Sequence, residues 1–347
     1  MKKVYLDNAA TTPIAPEVID VMQVSMQDNF GNPSSTHQFG RKAKNLVETA
    51  RKNIANLLQV SAAEIIFTAG GTEADNLILH NAVNNLGIER IITSKIEHHA
   101  VLHTVAFLKD TCNIEVDFVD VLPTGDISLK HLEDLLKKTN KKTLVSLMYI
   151  NNEIGNILPL KQVCDLCDTY NALFHSDTVQ AVGHYTINLR ETPVDFMVAS
   201  AHKFHGPKGV GFAYFKKGFG IQPMFHGGDQ EKGARSSTEN VHGILGMEKA
   251  FVLASNTLEK DKLTMNSLKQ YFIDQLLAIN SSISFNGQSA SNENSSCTIL
   301  NVSLPVKNEL LLFNLDLYGI AVSGGSACQS GSSTGSHVLS EITNPEK

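Results

Sequence analysis

The sequence predicts an α/β fold: a mainly parallel sheet covered by helices, with a smaller α+β domain beside it. Three observations carry this expectation. Short apolar runs alternate with amphipathic helical patterns from about residue 60 to 215. The runs are short and bounded by turn residues, as buried strands are. The chain has 347 residues and is 42% hydrophobic, enough for one large core and a smaller second one.

Taken in order, strands are expected over residues 64–68, 89–94, 114–119, 143–148, 173–175 and 194–199. Helices are expected over 72–85, 99–109, 129–138 and 160–170. A long helical pattern then covers 239–279, followed by a strand over 298–304 and a helix over 308–317. We divide the chain into a large domain of residues 15–255 and a small one of residues 1–14 and 256–347. Residues 323–336 are rich in Ser and Gly, with Cys328 among them, a composition that indicates a mobile loop.

Bulk chemistry narrows the function. The net charge is −6 with no basic tract, which argues against a nucleic-acid partner. The start, Met1-Lys2-Lys3-Val4-Tyr5-Leu6-Asp7, lacks the apolar run of a signal peptide, and no stretch is apolar for long enough to cross a membrane. Five irregularly spaced cysteines do not form a disulfide framework. A cytoplasmic protein is expected.

Ligands of such sheets bind outside the carboxyl ends of the strands, so the residues after each strand are the candidates for a site. Lys203 follows the strand ending near Ala199, and Asp177 follows the one ending near His175. A pyridoxal phosphate enzyme needs this pair: a lysine to form a Schiff base and a carboxylate to keep the pyridine nitrogen protonated. Gly70-Gly71-Thr72-Glu73 opens a helix, where glycines, a hydroxyl and free N–H groups suit a phosphate. His98, in Ile96-Glu97-His98-His99, could stack on a cofactor ring and assist proton transfer. Asn152, in Asn151-Asn152-Glu153-Ile154-Gly155, could donate to a phenolic oxygen.

Each feature has an ordinary counterpart: a capped turn, a surface histidine, an Asn-rich turn, a helix-capping Asp or a solvated lysine. Their convergence at successive strand ends favours a site. The adjacent histidines do not share a helix face and have no third ligand nearby, so no metal is expected. Cys328 lies among Gly and Ser without apolar neighbours, the exposure a nucleophilic thiol needs. Cys164 and Cys167 read as core packing, and Cys112 and Cys297 as structural.

The chain resembles cysteine desulfurases of the class V aminotransferase family, in the branch of iron–sulfur-cluster and nitrogenase-maturation enzymes. The resemblance covers nearly the whole chain. It rests on Tyr5-Leu6-Asp7-Asn8-Ala9-Ala10-Thr11-Thr12-Pro13, on Gly31-Asn32-Pro33-Ser34-Ser35 with His37 and Gly40-Arg41, on Asn151 to Gly155, on Ser200 to Gly209, and on the Cys328 segment. It implies the type I fold of pyridoxal phosphate (PLP) transferases, PLP as cofactor, L-cysteine as substrate, and L-alanine plus an enzyme persulfide as products. By motif position it implies Lys203 as the Schiff-base lysine and Asp177 at the pyridine nitrogen. Gln180 and Asn152 would meet the ring oxygen, and His98 the ring face. Gly71, Thr72, Ser200 and His202 would hold the phosphate, with Thr238 reaching the phosphate of a partner subunit in a homodimer. Cys328 would take the sulfur and pass it to an acceptor protein, an iron–sulfur scaffold or a tRNA-thiolation enzyme.

Departures from the family pattern are Gly71 where Ala is common, and Asp229 and Ser237 where Gly is common. The family pattern also continues past residue 347 with a strand that carries a substrate-binding arginine and then a closing helix, so the sequence is expected to be truncated. Other readings are a selenocysteine lyase or an aminotransferase on the same fold, or a PLP-binding sulfur scaffold with impaired catalysis.

Overall fold

The computed structural model describes residues 3–305, 310–324 and 335–342. Seven strands form the central sheet: β2 (Ile65–Thr68), β3 (Arg90–Ser94), β4 (Glu115–Val119), β5 (Thr143–Ser146), β6 (Leu173–Asp177), β7 (Phe196–Ser200) and β8 (Gly211–Phe215). Their order is β2-β8-β7-β6-β5-β3-β4. All neighbours pair in parallel except at β8, which runs antiparallel to both β2 and β7. The expected α/β class with a mostly parallel, helix-covered sheet therefore holds.

Period-two alternation splits each central strand between two cores. Met197 and Ala199 pack into one, and Phe196 and Val198 into the other. The first core lies under α2 (Gln38–Leu57), α5 (Leu129–Lys137), α6 (Leu160–Thr169) and the first turns of α7 (Val241–Ile279). The second lies under α3 (Gly71–Asn84) and α4 (His99–Cys112). With both faces covered, β2, β3, β5, β7 and β8 are buried along their whole length. The edge strand β4 keeps Glu115 and Phe118 exposed.

Elements outside the sheet set the site's rim. Helix α1 (Pro16–Asp28) packs on α7, and the segment before it, residues 7–13, crosses the carboxyl ends of the strands. Strand β1 (Val4–Tyr5) pairs in parallel with β11 (Ile320–Ala321), which follows α8 (Leu311–Leu317). Strands β9 (Ser284–Phe285) and β10 (Val302–Ser303) pair antiparallel, and α9 (His337–Ile342) closes the described chain.

The strand expected over 298–304 is reduced to Val302–Ser303. Upstream of it, local hydrogen bonds compete with a ladder: Ser296 Oγ pairs with Thr298 Oγ1 and accepts from the Thr298 N–H, while the Cys297 N–H donates to Tyr185 Oη. Among the described residues no helix is long and apolar enough to cross a membrane.

Candidate active site

Adjacent strands β6 and β7 bring the two central groups together. Asp177 ends β6 opposite Val198 of β7, and a 3-10 turn, Ala201–Lys203, follows β7 directly. The N-terminal segment clamps that turn. The Thr12 N–H and Oγ1 both donate to the His202 carbonyl at 2.9 Å, and Thr12 Oγ1 accepts from the His205 N–H at 2.8 Å. His184 Nε2 donates to the Lys203 carbonyl at 2.9 Å. Lys203 Nζ donates to the carbonyls of Ala9 (2.6 Å) and Ala10 (2.8 Å), and Gln180 Nε2 shares the Ala9 carbonyl at 3.0 Å. Gln180 and Lys203 thus converge on one strap of backbone.

The start of α3 fits a phosphate. Its N-cap is Gly70 at φ 153°, and no side chain caps the helix. The first N–H groups are left for a ligand, and the helix dipole favours an anion there. A Cβ on Gly71 would stand 2.8 Å from Val179 Cγ2. The extra methyl of the commoner Ala would need Val179 to shift. Ser200 Oγ lies 3.5 Å from where a Gly70 Cβ would be. Arg235 grips Glu73 through Nε (2.7 Å) and Nη2 (3.1 Å), and Glu73 accepts from the Ala69 N–H, which fixes the turn. Burial, with Lys203 and Lys208 nearby, pushes His202 down to about 4, so it acts as a neutral hydrogen-bonding group; its Nδ1 lies 3.1 Å from Thr11 Oγ1.

His98 caps α4, its Nδ1 accepting from the Ala100 N–H at 3.1 Å. The neutral ring therefore carries its proton on Nε2. Burial lowers its pKa, partly offset by Asp177. Burial raises that of Asp177, opposed by His98, by the Val179 N–H on Oδ1 and by Lys203. Asp177 is a buried carboxyl within electrostatic reach of Lys203 and suits a pyridinium partner. A cavity of about 380 Å³ opens between α3 and α4, lined by Thr72, His98, His99 and His103 among others.

The two asparagines divide their work. Buried Asn151 donates to the Ile96 carbonyl and accepts from the N–H groups of Glu153 and Ile154. Half-buried Asn152 makes no side-chain hydrogen bond among the described residues, so its amide remains for a ligand. The structure also shows buried groups beneath the site that sequence reasoning missed. Burial pushes Glu97 up to about 8 although Ser94 and the Met148 N–H bond to it. Asp75, raised well above the carboxylate range by burial and by Asp177, faces His175 Nε2 at 3.4 Å; His175 itself is pushed down to about 3. Only the i, i+2 spacing of His175 and Asp177 on one strand face could have hinted at this support.

Thr238 is exposed on the segment leading into α7. Arg51 holds that segment's start through a buried bidentate pair with Glu231 at 2.6 and 2.7 Å. Ser237 takes φ 117°, where L side chains are strained. Ser237→Gly is expected to stabilise the fold by about 1 kcal/mol, read as a higher urea midpoint at unchanged slope. Cys164 and Cys167 are buried, with burial pushing Cys164 up to about 12, as core packing requires. Cys112, expected to be structural, is exposed at the end of α4, just before left-handed Asn113, and its Sγ reaches Asn84 Oδ1 at 3.5 Å. Cys328 lies outside the described residues.

The model of the aminotransferase class-V family matches residues 4–340. The chain belongs to that family. A cysteine desulfurase IscS of Dictyoglomus turgidum is 42% identical over 99% of this chain and 86% of its own length. One from Methanosarcina thermophila is 40% identical, over 100% of this chain and 85% of its own. Among solved structures, a NifS-like protein is similar at TM-score 0.89 and 37% identity over 99% of this chain and 90% of that one. The NifS-like protein of Rickettsia africae follows at 0.86 and 32%, with the same coverage. Full-length similarity at this level puts the chain in the cysteine desulfurase branch, whose members are PLP enzymes.

Proposed function

We propose that this protein converts L-cysteine to L-alanine and passes the sulfur to the Cys328 thiol as a persulfide. The observation that carries the reading is Lys203 and Asp177 standing at neighbouring strand ends beside the uncapped start of α3. When bound, PLP supplies an electron sink that makes the substrate's α-proton removable.

Each residue has a defined task in this reading. Lys203 holds the cofactor and moves a proton at the substrate's α-carbon. Asp177 stays ionised and holds the proton on the ring nitrogen. Gln180 and Asn152 would donate to the ring oxygen, and the His98 ring would lie against the cofactor. Gly71, Thr72, Ser200 and His202 receive the phosphate. Thr238, exposed in one subunit, reaches the phosphate held by the other, which makes the enzyme a homodimer. The balance is simple: the C–S bond of cysteine breaks, its sulfur joins Cys328 Sγ as S–SH, and a proton replaces it on the alanine carbon. A scaffold for iron–sulfur clusters or a thiolating enzyme then takes the sulfur. We place this in the cytoplasm, on a large domain of residues 15–255 with the remainder as the small one.

The test incubates the PLP-loaded protein with L-cysteine. Alanine is expected in step with a gain of one sulfur atom on the peptide bearing Cys328. Keto-acid formation instead would mean amino transfer, and bound PLP without alanine would mean a scaffold.

A further inference from the structure

We propose that His337 is a positioning residue that ties the loop bearing His98 to the loop bearing Asn152, and so sets the spacing of the two side chains that face the cofactor ring. The inference rests on the reading of this site as a PLP cradle.

The hydrogen-bond geometry carries it. His337 Nε2 lies 3.0 Å from the carbonyl of Glu97, the residue just before His98. A carbonyl only accepts, so Nε2 bears a proton and donates. The other nitrogen, Nδ1, faces Oε1 of Glu153, the residue just after Asn152, at 4.0 Å. Both atoms are shielded from solvent and have no hydrogen-bond partner among the described residues. At that separation the two atoms face each other without a hydrogen bond, so the tie to the Asn152 loop runs through the neighbouring Ser336 and Val338. Burial raises the Glu153 pKa, with Ser336 and His337 opposing.

The surroundings make His337 a bridge between loops rather than a surface group. Glu153 Oε2 accepts from Ser336 Oγ, which also accepts the Leu339 N–H at the start of α9. Next to His337, fully buried Val338 packs with Ile96 from one loop and Ile154 from the other. The His99 ring lies 4.5 Å from the His337 ring on the α4 side, with His103 beyond it, and Lys95 pairs with Glu341 at the outer edge. Asn151 and Glu97 join the same two loops at their roots, through the Ile96 carbonyl and the Met148 N–H. His337 joins them where the ring-facing side chains stand.

The experiment compares His337→Phe, which keeps a ring and loses both nitrogens, with His337→Gln, whose amide N–H replaces Nε2. PLP-loaded proteins are assayed with L-cysteine, and the visible circular dichroism of the bound cofactor is recorded. His337→Phe is expected to lower kcat about tenfold or more, with weakened cofactor dichroism and KM changed less than kcat. His337→Gln is expected to return both readings to within about threefold of the wild type. A Phe variant equal to the wild type, or a Gln variant as impaired as Phe, overturns the inference. Should Phe not fold, His337→Asn decides: too short for the Glu97 carbonyl, it must fail where Gln succeeds, and equal behaviour sinks the idea. A wild type that takes up no PLP would refute the cradle; a loaded wild type with indifferent variants would refute only His337.

Discussion

Lys203→Ala is expected to abolish covalent cofactor attachment and to lower kcat by about 10²–10⁴-fold or more. The wild type, reduced with borohydride, should carry the cofactor's mass on the Lys203 peptide, and the variant should not. The geometry explains the size of the loss. Lys203 sits on a turn held at both carbonyls, His202 by Thr12 and Lys203 by His184, and its amine reaches the Ala9 and Ala10 carbonyls at 2.6 and 2.8 Å. No other described lysine is placed by the sheet at a strand end beside Asp177. Lys203→Arg would keep the charge and the strap contacts but not the nucleophile, and should fail equally. Persistence of the visible band of lysine-bound cofactor in either variant would refute the role.

Much of this site was legible because the chemistry sits where strands end. Asp177, Lys203 and the Gly71-Thr72 turn follow apolar runs directly, and a parallel sheet gathers those positions in one place. The direction of β8 was also within reach. Only ten residues separate Ser200 from Gly211, too few for the helical crossover a parallel partner needs.

Other features could not be read this way. Asn151 and Asn152 are neighbours of one type, and only tertiary contacts tie the first into the loop while leaving the second without a side-chain partner among the described residues. Asp75 reads as an ordinary polar residue of a helix until packing seals it against His175 and Asp177. Glu97 likewise becomes a near-neutral acid only through burial. The strand over 298–304 failed because apolar alternation there was outweighed by hydroxyl contacts around Ser296. Patterning sees period and composition. It does not see which polar group loses its water, and that loss sets the charges beneath the candidate site.

Those charges bear on how the site can work. Three carboxyls, Asp75, Glu97 and Asp177, lie buried within electrostatic reach of one another. Two of them are pushed toward the neutral acid with no cation to oppose it. Asp177 alone of the three is drawn back toward ionisation by His98 and Lys203. Of the three, Asp177 is the one whose burial is opposed by neighbouring basic side chains, which suits it to face a ring nitrogen.

Cys328→Ala is the sharper test of what that charge is for. The variant is expected to load PLP with an unchanged visible band, yet to form no persulfide and to lose sulfide release from L-cysteine, by about 10²-fold or more. The other four cysteines support this assignment by their positions. Cys164, Cys167 and Cys297 are buried, and burial raises all three thiols, which suppresses the thiolate. Cys112 is exposed, but it closes the 14-residue helix that His98 opens, which puts it about 20 Å from the site by helix rise alone. Cys328→Ser should fail as well, because a hydroxyl offers no soft, polarisable nucleophile to sulfur. Cys112→Ala should turn over cysteine like the wild type. If Cys328→Ala still released sulfide at the wild-type rate, sulfur would be leaving to a group other than this thiol, and the site would be a PLP lyase in place of a persulfide-forming transferase.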